Sequence, residues 1–139
     1  MQGWQIALLV AGFFLMDFMV VGAIMHFAVQ AVLEPLARDY PPLPAAPSAV
    51  RREFQSMERD RLNFGWCVHM TADECHLHIE PAWLLRACGG KPCSVPWTAM
   101  EVVKRGRWSC RVKVAGKAGG EYRMPAWVGE LIEGDPPAA

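Results

Sequence analysis

No lysine or arginine occurs before Arg38, and through residue 33 the only charged side chain is Asp17. A cleaved secretory signal needs a basic leading segment, a shorter apolar stretch and a small-residue cleavage site, so the missing cations argue against one. The chain also lacks an excess of either charge: 14 Lys+Arg stand against 14 Asp+Glu, giving no global pull toward nucleic acid or acidic substrates. Catalytic signatures are missing too. There is no G-x-S-x-G, His78-Ile79-Glu80 is not H-E-x-x-H, and Gly90-Lys91 is followed by Pro92 instead of the Ser or Thr of a phosphate loop. Asp60, Asp73, Glu74 and Glu80 form no evident catalytic pair. The expectation is a protein without enzymatic activity or cofactor.

What is present is a long apolar run. Between Trp4 and Leu33 only Gln5, Asp17, His26 and Gln30 are polar. At about 1.5 Å per residue, positions 6–25 span roughly 30 Å, the hydrocarbon thickness of a bilayer. We therefore expect one uncleaved transmembrane helix in residues 1–34, with the lipid bilayer as its first partner. Arg38, Arg51 and Arg52 follow the helix and nothing basic but the amino terminus precedes it. The positive-inside rule then puts the C-terminal part in the cytoplasm. Asp17 near mid-membrane calls for another helix, a cavity or a proton. Gly22, His26 and Gln30 share a stripe at i, i+4 and i+8. With Asp17 they are the candidate contacts to a membrane-protein partner, because small and amide-bearing residues pack helices in lipid. A bare anchor with tolerated polar residues is the plainer alternative.

Pro35 is expected to end the helix or to stand just past its end. Four prolines within residues 39–47 make 35–48 a semi-rigid, extended spacer. Residues 49–134 read as a small β-rich domain, followed by a tail at 135–139. Strands are expected at 50–57, 63–70, 75–80, 93–95, 99–105, 108–114 and 121–124. The clearest period-2 signals are Leu77 and Ile79 alternating with His76 and His78, and Val112 and Val114 alternating with Arg111 and Lys113. A helix is expected at 126–133, offering Trp127, Val128, Leu131 and Ile132 on one face. The fold class is thus membrane-anchored α+β: one N-terminal helix, then a small, mainly-β barrel or sandwich closed by a short helix.

The order of strands, the element Ser94-Val95-Pro96-Trp97-Thr98-Ala99-Met100 and the terminal helix resemble bacterial pleckstrin-homology-like domains, several of which sit behind membrane helices. The likeness covers residues 50–133, with Met100 where that pattern has Ile. It implies a non-enzymatic binding or assembly module, such as an accessory subunit of a membrane complex.

Two other chemistries compete with that reading. If residues 71–74 made a tight hairpin with Ala72-Asp73 at its tip, Cys67, His69, His76 and His78 would project from one face as a tetrahedral metal set. A one-residue slip would destroy the set, and a polar barrel face is the plainer reading. This arrangement, with the C-x4-C loop Cys88–Cys93, is the basis of a metal- or thiol-dependent sensor as an alternative function. Separately, residues 86–117 carry eight cations against Glu101 alone. Lys104, Arg105, Arg107, Arg111 and Lys113 are the candidate contacts to anionic lipid or an acidic partner, unless the run is simply a solvated face. Nucleic acid is not expected as a partner, given the short tether and small net charge.

Overall fold

The structure, a computed structural model, describes residues 2–117 and 119–134. The tail at 135–139 lies outside them. Helix α1 runs Gly3–Asp39 and is followed by strands β1 (Val50–Arg59), β2 (Leu62–Ala72) and β3 (His76–Pro81). A short helix α2 (Trp83–Ala87) precedes β4 (Cys93–Pro96), β5 (Met100–Arg105), β6 (Ser109–Val114), β7 (Gly120–Pro125) and the closing helix α3 (Ala126–Glu133). All seven expected strands and the terminal helix form, with ends shifted by at most two residues.

The strands make one antiparallel sheet in the order β4-β3-β2-β1-β7-β6-β5. The first four strands form one meander and the last three another, stitched together by β1 and β7. The edge strands β4 and β5 are joined by a single 3-10 turn, Trp97–Ala99. Three residues cannot cross a flat seven-stranded sheet, whose edges would lie roughly 28 Å apart at the usual strand spacing. The sheet therefore curls into a half-barrel. It stays incomplete at the β1–β7 seam, where the register is the single pair Glu58↔Arg123. Asp60 (φ 50°) and Arg61 (φ 68°) turn β1 into β2 as a two-residue hairpin, the geometry that matches strand twist.

Pro35 does not end α1; it lies inside the helix, which continues to Asp39. A proline there removes one backbone bond and costs about 3 kcal/mol. Burial offsets the cost, because Val32, Leu33 and Leu36 around it are at most 3% exposed. Helix α2 was not anticipated: five residues are too short for a periodic signal.

The main finding about the core concerns α1. Ala28, Val29, Val32, Leu33 and Leu36 recur at helical spacing and belong to the same buried cluster as the sheet residues Val68, Ile79, Val95 and Val112. The core thus reaches back across the proline-rich segment into the N-terminal helix. Residues 41–47 form a strap on the surface of the domain, and α1 is itself one wall of the half-barrel.

Candidate functional site: where the helix leaves the half-barrel

Helix α1 has two halves of different character. Its first half exposes apolar side chains on every side, from Trp4 (59%) through Phe14, Phe18 and Ile24 to Phe27 (74%). A helix apolar all round needs an apolar surrounding. It is the one helix among the described residues long and apolar enough to cross a membrane, with a mean hydropathy of 2.3 over its most apolar 18 residues and none of that window buried. Asp17 sits in this half, exposed. Nothing lies within 4 Å of where a Cβ at Gly22 would stand. Both stay available to a partner helix.

His26 and Gln30 are engaged elsewhere. The Nδ1–H of His26 donates to the Cys88 carbonyl at 2.7 Å, and Gln30 Nε2 donates to the Gly89 carbonyl at 3.4 Å. One turn further on, Glu34 lies 3.7 Å from the Lys91 ammonium. The polar stripe read as a face for another membrane helix is therefore continued to Glu34 and laid against the chain's own α2–β4 loop. Gly89 permits this approach: it adopts φ +93°, and a Cβ there would stand 3.0 Å from Gln30 Nε2 and 3.3 Å from His26. At the far end of α1 the Tyr40 hydroxyl donates to the Ala115 carbonyl.

The Cys/His hairpin does not form in the expected register. His69 faces Glu80 and Thr71 faces His78, where the tight turn would have set His69 against His76 and Cys67 against His78. The reason is Asp73, whose Oδ1 accepts the backbone N–H of Cys75 (2.8 Å) and of His76 (2.6 Å). This Asx-type turn lengthens β2 to Ala72 and moves the loop onward. His69 instead accepts the Phe54 N–H at 3.2 Å. The four candidates are not brought together, and no three His, Cys, Asp or Glu side chains among the described residues could hold a metal ion.

His78 belongs to a network that the sequence did not suggest. Its Nε2–H donates to Asp73 Oδ2 at 2.7 Å, and its Nδ1 lies 2.7 Å from Ser94 Oγ. Serine, histidine and aspartate in series are the residues of a nucleophilic triad. Here, though, Ser94 is 3%, His78 4% and Asp73 7% exposed. Ser94 Oγ is capped by the strap, accepting the Leu43 N–H at 2.8 Å, and Asp73 Oδ2 also accepts the Ala46 N–H at 3.3 Å. The trio is a buried fastening for the strap. Burial alone would raise the Asp73 pKa, but the hydrogen bonds from His78 and from the His76, Cys75 and Ala46 amides outweigh it and hold the carboxyl well below the usual range.

The basic run lies on the β5–β6 hairpin and its neighbours. Arg105 is paired with Glu133 of α3, and Arg111 with Glu121 of β7 at 3.8 Å. Arg107 stacks over Trp108 at 5.0 Å. Lys104 and Lys113 form no ion pair among the described residues. Two of the five expected contacts are thus partly neutralised in place, and half-exposed pairs of this kind are worth little to stability. Near the hairpin tip, exposed Trp108 and Phe54 border a cleft of about 230 Å³ floored by Met57 and Met124 at the sparsely paired β1–β7 seam.

All five cysteines are free thiols. Cys93 is buried and burial pushes its pKa up to about 12, whereas Cys75 is exposed. Cys93 thus lacks the low-pKa, accessible thiol of a redox sensor. No family model, curated protein or solved structure matches the chain. Its fold therefore stands on its own geometry: a long apolar N-terminal helix built into a curled, seven-stranded antiparallel half-barrel with a short closing helix.

Proposed function

We propose that the chain is a non-enzymatic, single-span membrane protein whose pleckstrin-homology-like half-barrel is an interaction and assembly module, an accessory subunit of a larger membrane complex. The observation that carries this reading is the two-sided use of α1. One half is fully exposed and apolar, with a lone carboxylate, and the other half is a wall of the domain core. A helix built this way transmits its orientation in the bilayer directly to the domain, as a positioning subunit requires. The strand order and terminal helix support the pleckstrin-homology-like assignment. The membrane is read as the bacterial cytoplasmic membrane on the same resemblance.

Replacing Asp17 tests the assembly reading. A carboxyl at mid-membrane costs about 2.5–3.5 kcal/mol on insertion scales, so Asp17→Leu should insert at least as well as wild type. An interhelical hydrogen bond in lipid averages about 0.6 kcal/mol, so recovery of co-purifying membrane proteins should fall about threefold at matched membrane levels. Equal recovery would leave only a bare anchor.

Cys75 reports topology better than the loop cysteines, because it is exposed while Cys93 is buried. A membrane-impermeant thiol reagent should label wild type, but not Cys75→Ser, only after the cells are opened. Labelling of Cys75 in intact cells would reverse the orientation.

A further inference from the structure

We infer that helix α2 is the foot on which the half-barrel rests on the bilayer, with Trp83 and Leu84 entering the boundary between headgroups and acyl chains and Arg86 and Lys91 meeting lipid phosphates. This rests on the reading of α1 as a membrane span and specifies which surface of the domain the membrane touches.

Length sets the level. From Trp4 to Ile24 a helix rises about 30 Å, one hydrocarbon thickness. If Trp4 marks one interface, the other falls close to residue 24. Side chains that pack on the domain begin immediately beyond, with Met25 against the core and His26 bonded to Cys88 just past the C-terminal end of α2. No free linker separates the span from the domain, because the helix is continuous to Asp39. The α2–β4 segment is therefore carried at the membrane surface by rigid geometry.

The chemistry of α2 fits that place. Leu85 is fully buried and holds the helix to the core, while Trp83 is 78% and Leu84 45% exposed. Most of Trp83 and nearly half of Leu84 are left uncovered by the domain. Helix α1, bonded to the loop just past α2, likewise carries exposed apolar side chains as far as Phe27. Tryptophan is the residue enriched at membrane interfaces, and arginine and lysine reach out from such positions to phosphate. Arg86 has no ion-pair partner among the described residues, and Lys91 is well exposed beside Glu34. The β5–β6 hairpin is the rival surface. It has more cations, but the base of that hairpin, just past Val114, is tied to α1 at Tyr40 and Ala115. That point is 14 residues, or about 21 Å, further along the helix than His26.

Quenching of tryptophan fluorescence separates the two surfaces. The full chain is reconstituted into phosphatidylcholine–phosphatidylglycerol vesicles with bromine on the upper acyl chains, as wild type, Trp83→Phe and Trp108→Phe. Trp83→Phe should lower the lipid-quenchable emission about twofold, since Trp4 and Trp83 would be the two interfacial tryptophans. Trp108→Phe should leave it unchanged. An alkaline wash of the same vesicles tests the span independently. Protein that stays in the vesicles but keeps its quenching in Trp83→Phe, or loses it in Trp108→Phe, overturns the foot while leaving the span intact. Protein released by the wash overturns the span and the foot with it.

Discussion

Asp73→Ala is expected to destabilise the protein by about 3 kcal/mol, moving its urea midpoint down by about 1.5 M for an m-value near 2 kcal/mol/M. The side chain is small and lies in a turn, and a surface turn aspartate would cost a fraction of that. This one is different because its carboxylate accepts four donors. Cys75 and His76 amides shape the β2–β3 turn, the Ala46 amide fixes the strap, and the His78 ring links the site to Ser94. Removing the acceptor strands buried donors at about 1–3 kcal/mol each, partly relieved by water where the turn opens. Ser94→Ala should cost less, since it removes one hydroxyl and leaves the turn intact. The pH dependence carries the same signature. A carboxyl held below its ordinary value of 3.8 contributes stability that is fully present above that value. The contribution is lost as pH falls below 3.8 toward the folded-state value. Wild type should therefore lose stability steeply in that acid range, and Asp73→Ala should lack this part of the fall. Parallel acid limbs in the two proteins would mean that Asp73 is not the fastening.

Much of the fold was legible because local chemistry and global packing agree along the strands. Val112 and Val114 alternate with exposed Arg111 and Lys113 because one face of β6 meets the core, while Leu77 and Ile79 point into the core and His78 between them is buried on the other face. Pro125 sets the start of α3, and an amphipathic run follows it. Helix α1 was legible only in part. An apolar segment reads the same whether lipid or a protein core surrounds it, so residues 28–34 looked like part of a membrane span. The available clue was the i, i+4, i+8 series His26, Gln30 and Glu34, taken one step too short. The β2–β3 register was set by hydrogen bonds to a single aspartate, which alternation cannot reveal. An aspartate two residues before the start of a β run is a turn signal, and giving it weight would have moved the loop in the right direction. The network of Asp73, His78 and Ser94 joins residues up to 21 positions apart, and no local pattern announces it.

Cutting the chain at residue 49 should leave a fragment that does not hold its fold, whereas a fragment beginning at Met25 should be soluble and unfold cooperatively. The proline-rich run 41–47 looks like a natural place to separate span from domain. The core contradicts that appearance: Val29, Val32, Leu33 and Leu36 are at most 3% exposed and lie on its far side. Burying each contributes about 1.5–3 kcal/mol, and a domain of this size has only about 5–15 kcal/mol of net stability in all. Losing four together removes most or all of that margin and exposes the sheet residues they covered. A fragment starting at Met25 keeps all four, along with His26, Gln30 and Glu34 on the α2–β4 loop, and discards only the half of α1 that nothing in the domain covers. The comparison is made by circular dichroism and urea titration of the two fragments. Equal midpoints would show that α1 merely lies against a self-sufficient barrel, and the rigid coupling of helix to domain would fall. A folded longer fragment beside an unfolded shorter one would mean that the domain cannot be detached from its helix without being lost. Any movement of the exposed half of α1 would then reach the half-barrel directly.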